Sequence, residues 1–191
     1  MSTATPYPAI FAGYERSRAA LAGWTRRRYI RAFDLTPCRM LDAGCGEGFW
    51  GSLFAAEGFT VYGFDREQAY ITAGRAKYPA LYLDVATIED DLPYLEASFP
   101  LIFCRTISHF YAPTLDGAEV ALRNVKRYLA PGGTLLVSAY SDGSGESKPG
   151  QFEGYLLHHH PFEAISEMVS AAGYGIWRQT RHGNYLAIGA R

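Results

Sequence analysis

Hydrophobic positions along the chain switch between helical spacing and short, nearly unbroken apolar runs. From Tyr14 to Ala32 no proline intervenes, and Leu21, Trp24, Tyr29 and Phe33 recur near helical spacing, which predicts a helix that Thr36-Pro37 ends. Short apolar runs then predict strands over Arg39–Asp42, Phe59–Asp65, Ala80–Asp84, Leu101–Arg105 and Gly133–Tyr140, the last after the turn Ala130-Pro131-Gly132-Gly133. Helices are expected between them over Phe49–Glu57, Gln68–Lys77 and Gly117–Tyr128, with Gly58 and Tyr78-Pro79 as stops. A Gly/Ser-rich loop, Ser141–Gly150, leads to a helix near Pro161–Ala172. Two final runs, Tyr174–Thr180 and Tyr185–Ala190, flank Arg181-His182-Gly183-Asn184, which reads as a hairpin turn.

This alternation implies an α/β fold: a doubly wound, mostly parallel, seven-stranded sheet with helices on both faces. The closing hairpin implies one antiparallel strand at its edge. At 191 residues and 48% hydrophobic content, the chain can bury a full core as one domain over 1–191, and no repeat is visible. A formal charge of −1 gives no global field to draw it to nucleic acid or an anionic membrane. Cys38, Cys45 and Cys104 are odd in number and lack paired metal-ligand spacing, which fits a reducing interior. No apolar run approaches the ~20 residues of a membrane span, and no signal-peptide pattern opens the sequence, so the cytoplasm is the expected compartment.

Ligands of such sheets bind at the carboxyl ends of the strands, so the chemistry is read from strand ends. The first strand ends in Met40-Leu41-Asp42-Ala43-Gly44-Cys45-Gly46-Glu47-Gly48, an acid followed by alternating glycines. Such a turn lets a ligand lie against bare backbone, before a helix whose N-terminal amides face the same crevice. A carboxylate there would repel a pyrophosphate and suits an ammonium or sulfonium group. Asp65 lies about two dozen residues further on, where a carboxylate takes ribose hydroxyls, and Asp84 would flank a base. Helix capping is the plain alternative for any one of these acids. Gly46-Glu47-Gly48-Phe49-Trp50-Gly51 also fits the dinucleotide fingerprint G-x-G-x-x-G, but Asp42 and the closing hairpin argue against a nicotinamide dehydrogenase.

From about residue 14 onward the sequence resembles a class I S-adenosylmethionine-dependent methyltransferase, with a Rossmann-like sheet. The resemblance rests on Leu41-Asp42-Ala43-Gly44-Cys45-Gly46-Glu47-Gly48, Val61-Tyr62-Gly63-Phe64-Asp65 and Leu83-Asp84-Val85. Leu101-Ile102-Phe103-Cys104-Arg105 and Leu129-Ala130-Pro131-Gly132-Gly133-Thr134 extend it. It implies S-adenosylmethionine as cofactor, bound by Asp42, Ala43, Gly44, Cys45, Gly46, Asp65, Arg66, Asp84, Val85, Cys104 and Arg105. It further implies a helical cap over 1–35, with Tyr14 and Arg18 reaching the cofactor, on a catalytic core over 38–191. Pro100 replaces the usual Asp at the start of the fourth strand. The Asn/Asp-Pro-Pro-aromatic signature of amine methylation on bases or glutamine is absent, since the strand exit reads Cys104-Arg105-Thr106-Ile107-Ser108. No metal set is recognisable.

The implied reaction is in-line displacement, with an acceptor atom attacking the sulfonium methyl. His109, in Ser108-His109-Phe110-Tyr111, is the general-base candidate, with loop packing as its plain alternative. Tyr7, Tyr140, His158 and His159 are the candidate substrate contacts. Consecutive residues such as His158-His159-His160 point in different directions, so a shared metal ion is not expected there. Arg26-Arg27-Arg28 with Arg31 reads as a solvated helix face. The expected acceptor is a small or medium-sized molecule methylated at O or N. The protein is expected as a monomer or homodimer, with no nucleic-acid or membrane partner. Methylation of a protein or RNA, and a non-catalytic cofactor-binding subunit, are the alternatives.

Overall fold

The computed structural model describes residues 7–141, 145–152 and 155–191. Two helices open it, α1 (Tyr7–Arg16) and α2 (Arg18–Thr25), followed by a π-helical turn over Arg26–Arg31. Strands β1 (Arg39–Ala43), β2 (Thr60–Asp65), β3 (Tyr82–Val85), β4 (Phe99–Arg105) and β5 (Leu129–Tyr140) form the parallel part of the sheet. Between them run α3 (Phe49–Ala55), α4 (Gln68–Lys77) and α5 (Asp116–Lys126). A hairpin of β6 (Lys148–Phe152) and β7 (Tyr155–His159) precedes α6 (Phe162–Ala171), and β8 (Ile176–His182) and β9 (Tyr185–Ala190) close the chain.

The large sheet has the order β3-β2-β1-β4-β5-β9-β8. The chain builds outward from β1 to β3, returns to place β4 beside β1, and then builds the other way. That reversal opens a crevice at the carboxyl ends of β1 and β4. Strand alternation supplies both cores. On β4, Ile102 and Cys104 face the core under α5 and α6, whereas Leu101 and Phe103 face the one under the N-terminal helices and α3. Leu135 and Leu136 on β5 divide in the same way. Helix α5 joins the first core through Ala118, Ala121, Leu122 and Val125, a stripe at helical spacing, and carries Asp116 and Glu119 in its first turn and Arg123 and Lys126 in its last.

Several expectations are refined. The single helix expected over Tyr14–Ala32 begins earlier, breaks at Ser17 (φ −104°, ψ 10°) and ends in the π turn, where Leu35 N donates to Ile30 O at 2.8 Å. The wide turn brings Tyr29 and Phe33 inward, and the Tyr29 hydroxyl bonds Ser138 Oγ at 2.7 Å inside the core. The antiparallel strand is not the edge strand: β9 lies between β5 and β8. Its run Leu186–Ala190 is buried throughout, while β8 offers Arg178, Gln179, Arg181 and His182 to solvent and takes the edge. The Ser141–Gly150 loop gives way at Lys148 to the β6–β7 hairpin.

Candidate active site

β1 runs into the glycine turn with Asp42 in register with Gly63 on β2 and Phe103 on β4. Gly44, Gly46 and Gly48 take φ values of 70°, 56° and 83°, a region closed to most side chains. At Gly46 space matters as well: a Cβ there would stand 2.8 Å from Phe11 Cζ, because α1 lies across the turn. Cys45 N donates to Phe64 O at 2.9 Å and fastens the turn to β2.

Behind this turn a cavity of about 240 Å³ opens between α1, the ends of β2 and β4, and the segments after β3 and β4. Asp65 lines it, and both its oxygens accept backbone amides: Gly46 N–H at 2.9 Å and Glu67 N–H at 3.0 Å. Burial pushes its carboxyl above the usual range, against the pull of those amides. Tyr14, Gly44, Cys45, Gly46, Arg66 and Arg105 line the same cavity, so six further residues of the expected cofactor set converge there.

The other expected cofactor residues lie elsewhere. Asp42 sits beneath the turn, 3% exposed, with no hydrogen-bond partner for Oδ2 among the described residues. Burial pushes it up to about 7, against the pull of the Gly51 amide and Arg105. It acts on the cavity from behind the wall and not as a wall group. The Ala43 and Cys104 side chains point into the core under α5. Asp84 ion-pairs with Arg75 at 3.3 Å in a groove at the β3 edge, and Val85 is exposed. The positions that face the cavity after β3 are instead Ala86, Thr87, Ile88 and Glu89. Arg18 turns back onto Glu15 at 2.9 Å and Ser52 Oγ at 3.0 Å, joined by Lys77 and Tyr78, and so ties the first two helices to α3 and α4.

His109 lines the cavity and faces Glu89, with Nε2 to Oε1 at 2.6 Å. Burial pushes the Glu89 carboxyl up, but the His109 hydrogen bond and further bonds outweigh it and leave the group below its ordinary value. An ionised carboxylate only accepts, so Nε2 carries the hydrogen and Nδ1 is the basic nitrogen. Glu89 escaped sequence reasoning: it stands in Thr87-Ile88-Glu89-Asp90-Asp91, where nothing in the spacing separates it from its acidic neighbours. Arg105 is 8% exposed, with its guanidinium 3.9 Å from the Trp50 ring centroid. Thr106 beside it takes φ 48°, strain of about 1–3 kcal/mol for a β-branched residue, at the point where β4 turns into the cavity wall.

Among the expected substrate contacts, Tyr140 packs on His159 and Tyr185 and accepts from Asn184 Nδ2 at 3.1 Å, outside the cavity lining. His158 stacks near His160, and His159 is buried; neither lines the cavity, which Leu157 of the same strand does. The Tyr7 side chain lies outside the described residues. Among the described residues no group of His, Cys, Asp and Glu is arranged to hold a metal ion, and no helix is long and apolar enough to cross a membrane.

The strand order and the glycine turn together define a Rossmann-like domain. Comparison with known proteins narrows the class. The family described as a methyltransferase domain matches residues 41–137. A malonyl-[acyl-carrier protein] O-methyltransferase of Erwinia pyrifoliae is 32% identical over 56% of this chain and 38% of its own length. A dTDP-4-amino-2,3,4,6-tetradeoxy-D-glucose N,N-dimethyltransferase of Saccharopolyspora spinosa is 30% identical over 70% of this chain and 53% of its own. Among solved structures, DesVI of Streptomyces venezuelae superposes with a TM-score of 0.71 at 17% identity, over 99% of this chain and 98% of that one. The chain belongs to the class I S-adenosylmethionine-dependent methyltransferase family. It spans about half or less of the length of these two curated relatives.

Proposed function

We propose that this chain is an S-adenosylmethionine-dependent methyltransferase acting on O or N of a small or medium-sized acceptor. One observation carries the reading: a single cavity joins the glycine turn and Asp65 to the His109–Glu89 pair. The residues present fit a nucleoside. Asp65 is held by backbone amides with its carboxylate at the cavity, and the turn beside it leaves room only for hydrogen at Gly44 and Gly46, where a Cβ would meet Ile107 and Phe11. When bound, S-adenosylmethionine supplies a methyl group already activated on sulfonium.

The protein's own contribution is to position, desolvate and deprotonate. Asp65 accepts the ribose hydroxyls, and Phe11 and Tyr14 of α1 exclude water from above. This use of α1 supports the division into a cap over 1–35 and a core over 38–191. His109 takes the acceptor proton at Nδ1, with Glu89 fixing the tautomer and stabilising the imidazolium that forms. The relatives methylate at oxygen in one case and at nitrogen in the other, as their names state, so both acceptor atoms remain within the reading. The free thiols Cys38, Cys45 and Cys104 support a reducing, cytoplasmic setting, and we read the protein as a monomer or homodimer. The test is incubation with methyl-labelled donor and cell extract, separated afterwards by size. Label in the small-molecule fraction, lost in His109→Asn, is expected; label confined to protein or RNA would replace the proposed acceptor class.

A further inference from the structure

The groove at the β3 edge holds about 550 Å³ and shares no lining residue with the catalytic cavity. Arg39 lines it from the first position of β1, at the opposite end of that strand from the glycine turn. Its guanidinium carbon lies 4.6 Å from the Tyr62 ring centroid and 4.7 Å from that of Phe99. Nε is buried, and among the described residues the Arg39 side chain makes no hydrogen bond or ion pair. Ring faces favour the cation but leave its in-plane donors unanswered. Arg75, the other cation on the wall, is satisfied: Nε and Nη2 donate to Leu83 O at 2.8 and 2.6 Å, and Nη2 to Asp84 Oδ1 at 3.3 Å. Tyr82 stacks on Tyr62, with ring centroids 4.8 Å apart and 19° between planes, yet stays 56% exposed. Leu95 beside it is 75% exposed. Among the described residues only four large hydrophobic side chains are exposed, and two of them meet in this groove, which marks it as a binding surface.

We infer that this groove binds a planar aromatic monocarboxylate, at a site separate from methyl transfer. Each part of that ligand has its counterpart on the wall. The exposed Tyr82 ring offers a stacking face, and Arg39 offers parallel N–H donors that match a carboxylate. Asp84 neutralises Arg75 and repels a dianion, which leaves Arg39 to set a single negative charge. The volume lies within the range of about 300–1,000 Å³ usual for small-molecule sites. An added peptide strand fits less well, because Arg75 already occupies the Leu83 carbonyl on this edge strand. The inference does not depend on the methyl-donor reading.

The probe is 1-naphthoate, titrated by calorimetry into the wild type, Arg39→Met and Tyr82→Ala, with and without saturating adenosylhomocysteine. Naphthoate is expected to bind the wild type at one site per chain, equally in both conditions. Arg39→Met keeps the side-chain stem and loses the donors, so it is expected to weaken naphthoate by roughly tenfold or more. The neutral analogue 1-naphthylmethanol is expected to bind the wild type more weakly by a similar factor. Tyr82→Ala is expected to weaken naphthoate as well, and because Tyr82 is exposed it also serves if Arg39→Met does not fold. No saturable binding to the wild type, equal binding to the wild type and either folded variant, or displacement by adenosylhomocysteine overturns the inference. Tighter binding of 1-naphthyl phosphate than of naphthoate overturns the single charge. Failure of adenosylhomocysteine itself to bind sinks the methyl-donor reading instead, and the two variants alone then decide this site.

Discussion

Asp65 stands where the fold and the proposed ligand meet. Read from the sequence, its replacement by Ala is expected to weaken the donor and leave the melting temperature almost untouched. The structure adds two backbone amides, from Gly46 and Glu67, to what that carboxylate holds. Asp65→Ala is therefore expected to lose adenosylhomocysteine affinity and also about 1–3 kcal/mol of stability, read by denaturant unfolding without ligand. Stability equal to the wild type would mean that the turn holds without it. Asp42 has the opposite signature. Its folded value of about 7 exceeds the ordinary 3.8, so the stability it contributes is complete below about pH 4 and is lost as pH rises through 7. Asp42→Asn is expected to flatten this fall, which between pH 5 and 8 is on the order of 2–3 kcal/mol, as read by unfolding of the unliganded protein. An unchanged pH profile in the variant would place Asp42 in contact with solvent. His109→Asn removes the base, and its shorter amide does not reach Glu89 as Nε2 does, so turnover is expected to fall about 10²–10⁴-fold with donor affinity intact. Full activity would reduce His109 to loop packing. At this scale the sequence located the strand-end acids but not their directions. Asp65 ends β2, but Asp42 and Asp84 stand one residue before the ends of β1 and β3, and the three point into the cavity, under the turn and to the sheet edge because the exact strand end, twist and neighbouring helices set the direction of each.

The elements around the site depend on close approach more than on propensity. Helix α4 runs so near the glycine turn that a Cβ on Gly74 would collide with the Glu47 carbonyl and Leu83 Cδ1. Gly74→Ala adds helix propensity of about 1 kcal/mol, but the backbone collision outweighs it. The variant is expected to be less stable than the wild type and to bind adenosylhomocysteine more weakly, measured by melting and calorimetry on the same sample. A more stable Gly74→Ala would show that the turn yields freely. α4 itself was legible to the residue, Gln68–Lys77, because its stop at Tyr78-Pro79 is local. The β6–β7 hairpin was not, since its first strand carries Pro149 and Gly150 and looks like the loop before it. The break at Ser17 was equally hidden. It arises from Arg18 turning back to Glu15 and across to Ser52, contacts with α3 and α4 that no local pattern shows.

For the whole molecule, the alternation of strands and helices carried the architecture: a seven-stranded sheet whose reversal between β1 and β4 opens the crevice. What stayed hidden was the place of β9 inside the sheet, since a hairpin reads the same whichever of its strands pairs with β5. Burial of Leu186–Ala190 against the polar face of β8 decides it. The cavity lies where α1 closes on that crevice, and its walls carry charge of both signs: Asp65, Glu67 and Glu89 against Arg66 and Arg105. That distribution, with Asp42 behind the turn, suits a nucleoside with a cationic sulfur and an amino-acid tail, and disfavours a pyrophosphate. Calorimetric titration of the intact protein with adenosylhomocysteine and, separately, with NAD tests this most directly. Adenosylhomocysteine is expected to bind at one site per chain and NAD to give no measurable heat; tight NAD binding without any response to adenosylhomocysteine would contradict a methyl-donor site.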